Sequence, residues 1–171
     1  MLYKYEITLR QQFLVLNTFL IIDGGATIAY LYFFGVHIPY PIFILPLSLL
    51  FILTVLPVLI LHPQYYRANR NSEFIIDRTN QTLHYVSRSI DLKEKFSDIE
   101  SVHFYGSYSG DSGIYTFSGY SYFKIILKNK HEIIITSLMM YDIKNKLPEL
   151  LSVNAVKHYN FLATLKQSRY L

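Results

Sequence analysis

Tyr120-Ser-Tyr-Phe-Lys-Ile-Ile-Leu-Lys-Asn-Lys-His-Glu-Ile-Ile-Ile-Thr136 is the stretch on which the fold turns. Two runs rich in β-branched and aromatic residues flank the polar segment Lys128-Asn-Lys-His131, so the whole reads as an antiparallel hairpin. Upstream, Glu73-Phe-Ile-Ile-Asp77 and Thr82-Leu-His-Tyr-Val86 flank Arg78-Thr-Asn-Gln81 in the same way. Between the hairpins, residues 90–96 and 98–105 suggest two more strands, with Ile99, Val102 and Phe104 as candidate core positions.

After Thr136 the period changes. Met139, Ile143, Leu147, Leu150 and Leu151 follow helical spacing, and residues 153–167 offer a second candidate helix through Val156, Leu162 and Leu165. Strands followed by helix predict an α+β domain: a curled antiparallel sheet capped by a C-terminal helix.

The N-terminal part is different in kind. The chain is 51% apolar and only 16% charged, with mean hydropathy +0.23. Soluble domains carry about 25% charged residues. The excess apolar residues concentrate in 13–61. Residues 13–34 hold one charge, Asp23, and residues 41–61 hold none. Each run is long enough, as a helix, for a hydrocarbon core of about 30 Å. The expectation is therefore a membrane α-helical hairpin, with spans 13–34 and 41–62 and an outer turn 35–40 broken by Gly35 and Pro39. A segment 1–12 precedes it and a domain 63–171 follows. The first run is too long for the core of a signal peptide.

Lys4 and Arg10 before the first run, and Arg67 and Arg70 after the second, place both termini on the cytoplasmic side. Tyr30, Tyr32 and Tyr40 suit one interface; Tyr65 and Tyr66 suit the other. This predicts an integral, two-pass protein of a cell membrane.

Asp23 is costly at the centre of a span. Thr27, Ser48 and Thr54 are candidate intramembrane partners for its carboxyl. Polar glue between helices, an ion or proton relay, and a local break at Asp23-Gly24-Gly25 all fit this pattern. Gly25 and Ala29 form a small-xxx-small pair suited to close helix packing.

Together, the Ile-Ile-Asp, polar turn, Leu-x-Tyr hairpin, the Asp98-Ile99-x-x-Val102 segment, the second hairpin and the closing helix form a recognisable series. It resembles the bacterial pleckstrin-homology-like (PH-like) membrane proteins. That resemblance implies a seven-stranded curled sheet with a C-terminal helix over residues 67–152, in the bacterial inner membrane. Six strands are predicted, leaving 106–119 as a place for the seventh. No ligand residue is carried over.

The residues offer little chemistry of their own. The absence of cysteine excludes disulfides, thiolate metal sites and cysteine nucleophiles. Gly110-Asp111-Ser112-Gly113 looks like a serine-protease motif but has no assignable triad. His84, His103, His131 and His158 are dispersed, without metal-ligand spacing. No cofactor and no nucleic-acid partner is expected.

The net charge of +4 falls on the C-terminal part. Lys93, Lys95, Lys124, Lys128 and Lys130 are candidate contacts to lipid headgroups or a partner. The functional expectation is a non-enzymatic, membrane-anchored binding or scaffold module, partnered by the bilayer, another protein or further copies of itself. The alternative is a subunit of an oligomeric transport or ion-pathway assembly centred on Asp23.

Overall fold

The computed structural model describes residues 1–34, 45, 48–49, 51–107, 119–160 and 162–165, without the side chains of residues 18, 19, 22, 23, 34 and 51. In chain order the elements are β1 (Leu2–Glu6), α1 (Leu9–Phe34), a π-helical turn (Phe51–Val55), α2 (Leu56–Asn69), β2 (Glu73–Asp77), β3 (Thr82–Val86) and β4 (Asp91–Lys95). A 3-10 turn (Phe96–Asp98) leads to β5 (Ile99–Ser107), followed by β6 (Tyr122–Leu127), β7 (Glu132–Thr136), α3 (Ile143–Leu151) and β8 (Val156–Asn160).

The strands form two four-stranded sheets, ordered β1-β2-β3-β4 and β7-β6-β5-β8. Every pairing is antiparallel except β5 with β8. All six predicted strands are present. The β2–β3 turn is held by Asp77, whose Oδ1 accepts from the backbone N–H of Thr79 and Asn80. The β6–β7 turn places Lys130 at φ 69°, in the left-handed region.

Alternation along the strands sends one set of side chains between the sheets. Phe74 and Ile76, Leu83 and Tyr85, Val102 and Phe104, Phe123, Ile125 and Leu127, and Ile133 and Ile135 are buried there. Helix α3 adds Ile143, Leu147, Leu150 and Leu151, the face predicted from its spacing. Met139 and Met140 fill the space beside it.

Two strands were not expected. β1 pairs with β2 from Leu2↔Asp77 to Glu6↔Glu73, so the helical segment lies between the first and second strands of the sheet. β8 replaces part of the second predicted C-terminal helix. Val156, His158 and Tyr159 suit a strand as well as a helix, and the open edge of β5 supplies the hydrogen bonds that decide between them.

A second core lies on the outer face of the β6–β7 side. Val15 of α1 and Val58, Leu61 and Tyr65 of α2 pack with Tyr120, Tyr122 and Leu138. Gly119 permits the approach, because a Cβ there would lie 3.2 Å from the Val15 carbonyl oxygen.

The expectation of membrane spans is corrected. Among the described residues no helix is long and apolar enough to cross a membrane. Two features explain the difference. The feet of both apolar runs, at Val15, Val58 and Leu61, are buried in the folded domain. The second run is also not one uniform helix: a π-helical turn interrupts it, and α2 continues into the polar His62, Gln64, Arg67 and Asn69. The two-pass location and the cytoplasmic orientation rested on those spans and fall with them, as does the ion-pathway alternative. The expected outer turn 35–40 lies outside the described residues.

Candidate ligand-binding site

Where α2 ends and β2 begins, the chain passes over the loop joining β3 to β4. Together with the start of β7 these segments enclose a cavity of about 210 Å³ lined by Arg67, Arg70, Arg88, Ser72, Ser87 and Ser89, among others. Arg67 stands in the last turn of α2 and Arg70 is the extended residue that caps it, and both line the cavity. Arg88 is brought to them by the tight loop, which is closed by a 2.7 Å bond from the Ser87 N–H to the Ile90 carbonyl. Asn71, at φ 59°, sets its amide against Arg88; with the oxygen on the guanidinium side, the orientation the donors require, it accepts at 3.0 and 3.2 Å. A neutral amide thus orients Arg88 and leaves its charge intact.

Among the described residues none of these three arginines is in an ion pair. Glu132 reaches the cavity wall, but its carboxylate is 2.6 Å from the Lys124 ammonium. At the back, the buried Tyr85 hydroxyl donates to Ser72 Oγ at 3.2 Å. The result is a small, cationic, hydroxyl-lined recess. Guanidinium groups suit phosphate and carboxylate because their forked donors bind two oxygens at once.

Helix α2 is held in register by its last residue. Asn69 is fully buried; its Nδ2 donates to the Ile134 carbonyl at 2.7 Å and its Oδ1 accepts from the Thr136 N–H at 2.9 Å. One side chain thereby satisfies the outward donor and acceptor of edge strand β7.

The five lysines singled out from sequence do not form one patch. Lys93 and Lys95 are exposed on edge strand β4, beside a separate depression with Thr82, Ser97 and Asp98. Lys124 is engaged by Glu132, Lys130 pairs with Glu100 at 2.8 Å, and Lys128 is exposed on the β6–β7 turn. Arg67 and Arg70 entered the sequence argument as orientation signals and Arg88 not at all. Three arginines spread over 22 positions carry no spacing motif, and only the fold brings them together.

On the helical segment, Thr27 and Thr54 are half-buried, and Gly25, Ala29 and Ser48 are exposed. The side chain of Asp23 lies outside the described residues, as does the Gly110-Asp111-Ser112-Gly113 stretch. The histidines are less scattered than their numbering suggests. His84 Nε2 lies 2.6 Å from Asp91 Oδ1, and His103 and His158 meet across β5 and β8. Among the described residues no group of three or more His, Cys, Asp or Glu could hold a metal ion.

Compared with known proteins, residues 3–145 match the family model for the PH domain. The match begins in β1 and ends in the first turn of α3, so it takes in the first sheet, β5 to β7 of the second, and the helical segment between the first two strands; β8 lies beyond it. It is a match to the PH domain and carries neither the membrane nature nor the bacterial origin of the earlier resemblance. No curated protein and no solved structure matches the chain. With strands β1 to β7 and the helical segment inside the matched residues, most of the chain is covered, and it belongs to the PH domain family.

Proposed function

We propose that this chain is a non-catalytic binding module whose ligand presents a phosphate group to Arg67, Arg70 and Arg88. PH domains are typically binding modules for lipids or proteins, which sets the class. The observation that carries the ligand chemistry is the convergence on one recess of three arginines that have no carboxylate partner among the described residues. A cavity of about 210 Å³ is below the roughly 300–1,000 Å³ usual for whole small molecules. It suits one anionic group protruding from something larger. Ser72, Ser87 and Ser89 supply further donors to phosphate oxygens. Exposed Lys93, Lys95 and Lys128 add a positive field that favours encounter with an anion.

Titration of the full chain with a soluble inositol polyphosphate, at two salt concentrations, tests this. A hydrogen bond to a charged group contributes about 1.5–3 kcal/mol, so Arg88→Ala lowers affinity at least about tenfold while Lys130→Ala changes it little. Equal affinity in the native chain and Arg88→Ala would refute the site. A second arm offers vesicles with phosphorylated headgroups and a phosphorylated peptide in parallel, and separates the two sources of that phosphate.

A further inference from the structure

Strand β8 is attached in an unusual way. It lies parallel to β5, with His103↔Val156, Tyr105↔His158 and Ser107↔Asn160 as Cα partners. None of its five residues is buried, and Val156 is 51% exposed. Beyond the backbone ladder, two side chains hold it. Tyr159 meets Phe104 edge-on at 6.0 Å on one face of the sheet. On the other face the His158 ring stacks on Tyr105 at 4.7 Å and on His103 at 5.3 Å.

The two imidazoles are also joined through nitrogen. His103 Nδ1 lies 3.0 Å from His158 Nε2, and the second nitrogen of His103 is 3.0 Å from Ser101 Oγ. Such a pair accommodates one proton between its nitrogens. A second proton sets two cations against each other at that distance.

The surroundings do not relieve the repulsion. From β6, Lys124 is the Cα partner of His103, and Tyr122 stacks on Tyr105 at 4.7 Å. From β7, the Glu132 carboxylate lies 2.6 Å from the Lys124 ammonium. On β8 itself Lys157 alternates to the opposite face. Burial, the neighbouring His158 and Lys124 together hold the His103 pKa below its ordinary value.

We propose that β8 is a proton-released strand, seated on β5 while the His103–His158 pair holds at most one proton and expelled when both rings are charged. Release bares the hydrogen-bonding edge of β5 and uncovers Phe104 where Tyr159 packs on it, but withdraws no fully buried residue from the core between the sheets. A bared edge is an acceptor for another extended segment. The sign follows from His103: its attached-state pKa lies below that of the free ring. Attachment is therefore complete above about pH 6.5 and weakens as pH falls below it.

The chain lacks cysteine, so single-cysteine spin labels report cleanly. One label goes on β8 through Lys157→Cys, on the face away from the histidines; a reference goes on α3 through Glu149→Cys. In the full chain the β8 label is immobile at pH 7.5. Its mobile fraction rises on going to pH 5, by up to about tenfold per pH unit for one proton taken up on release, while the α3 label stays immobile. His103→Gln and His158→Gln each make the β8 mobility independent of pH, whatever its starting level. An unchanged β8 spectrum, simultaneous loosening of both labels, or pH dependence retained in both glutamine variants would each overturn the proposal.

Discussion

The two faces of the β7-β6-β5-β8 sheet are covered by different chemistry. Its buried inner face meets the other sheet and α3 through Phe, Ile, Leu, Val and Met, with Tyr85 the polar-tipped exception among the buried residues described. The outer face meets α1 and α2 through Val15, Val58 and Leu61, but also through tyrosines, a histidine and an asparagine that make directed bonds. Tyr65 donates to the Ala163 carbonyl at 2.6 Å and sets its ring edge-on to Tyr120 at 5.3 Å and Tyr122 at 6.1 Å. The Tyr120 hydroxyl lies 3.0 Å from His62 Nδ1. Apolar packing holds the inner core by volume, whereas the outer core also specifies where the helices sit. Oriented hydrogen bonds tolerate far less sliding than methyl contacts.

The largest effect tests the inner side. Phe123 is fully buried on β6, against Phe104 at 5.1 Å. Phe123→Ala removes the ring and leaves a cavity that the two sheets close only in part, costing about 3–5 kcal/mol. Urea denaturation measures it. A loss below about 1.5 kcal/mol would mean the inner core is looser than its burial indicates.

A smaller effect of a different kind is expected on the outer side. Asn69→Ala deletes few atoms but strands the Ile134 carbonyl and the Thr136 N–H at a buried edge. Leaving such groups unpaired costs about 2–3 kcal/mol. Asn69→Asp keeps the acceptor and loses the donor, and buries a charge, so it does not rescue. If Asn69→Leu restores stability, the residue acts by filling space and the contrast between the two faces collapses.

That contrast also explains what was legible in the sequence. Inner-face residues alternate with a period of two inside β-branched runs in β2, β3, β6 and β7, so these could be read residue by residue, β4 and β5 as strands, and α3 by its own spacing. β1 could not. Leu2-Tyr-Lys-Tyr-Glu6 is short, and its partner β2 lies on the far side of the helical segment, so no local turn advertises the pairing. β8 was obscured because its apolar residues fit a helical period too, and the deciding term, the unfilled edge of β5, is tertiary. The apolar runs misled for a related reason. Hydropathy counts Val15, Val58 and Leu61 as candidates for lipid, yet the folded domain buries them. The arginine recess was invisible because a cluster assembled from a helix end and a distant loop has no linear signature. His103 and His158, set 55 positions apart in the chain, are hidden in the same way.

The smallest effect is electrostatic and sharpens the comparison from the outer side. Burial lowers the His62 pKa from its ordinary value of 6.5. The unfolded chain therefore binds a proton at this position more readily than the folded one. The contribution of neutral His62 to stability is complete above about pH 6.5 and is lost as pH falls through the folded value. In the neutral ring with its proton on Nε2, Nδ1 accepts the hydroxyl proton of Tyr120; in the charged ring it cannot. Heating the native chain and His62→Gln at pH 7.5 and again at pH 5.5 isolates this residue, because other groups that titrate in that window act on both proteins. The native chain loses about 1–2 °C more in Tm than the variant. Equal losses would show that the Tyr120 contact survives protonation, and that the outer core is held there by ring packing, as the inner one is. Inner-face variants such as Ile125→Val leave the pH dependence unchanged, since the buried residues of that core include no carboxylate or histidine to titrate between pH 5.5 and 7.5.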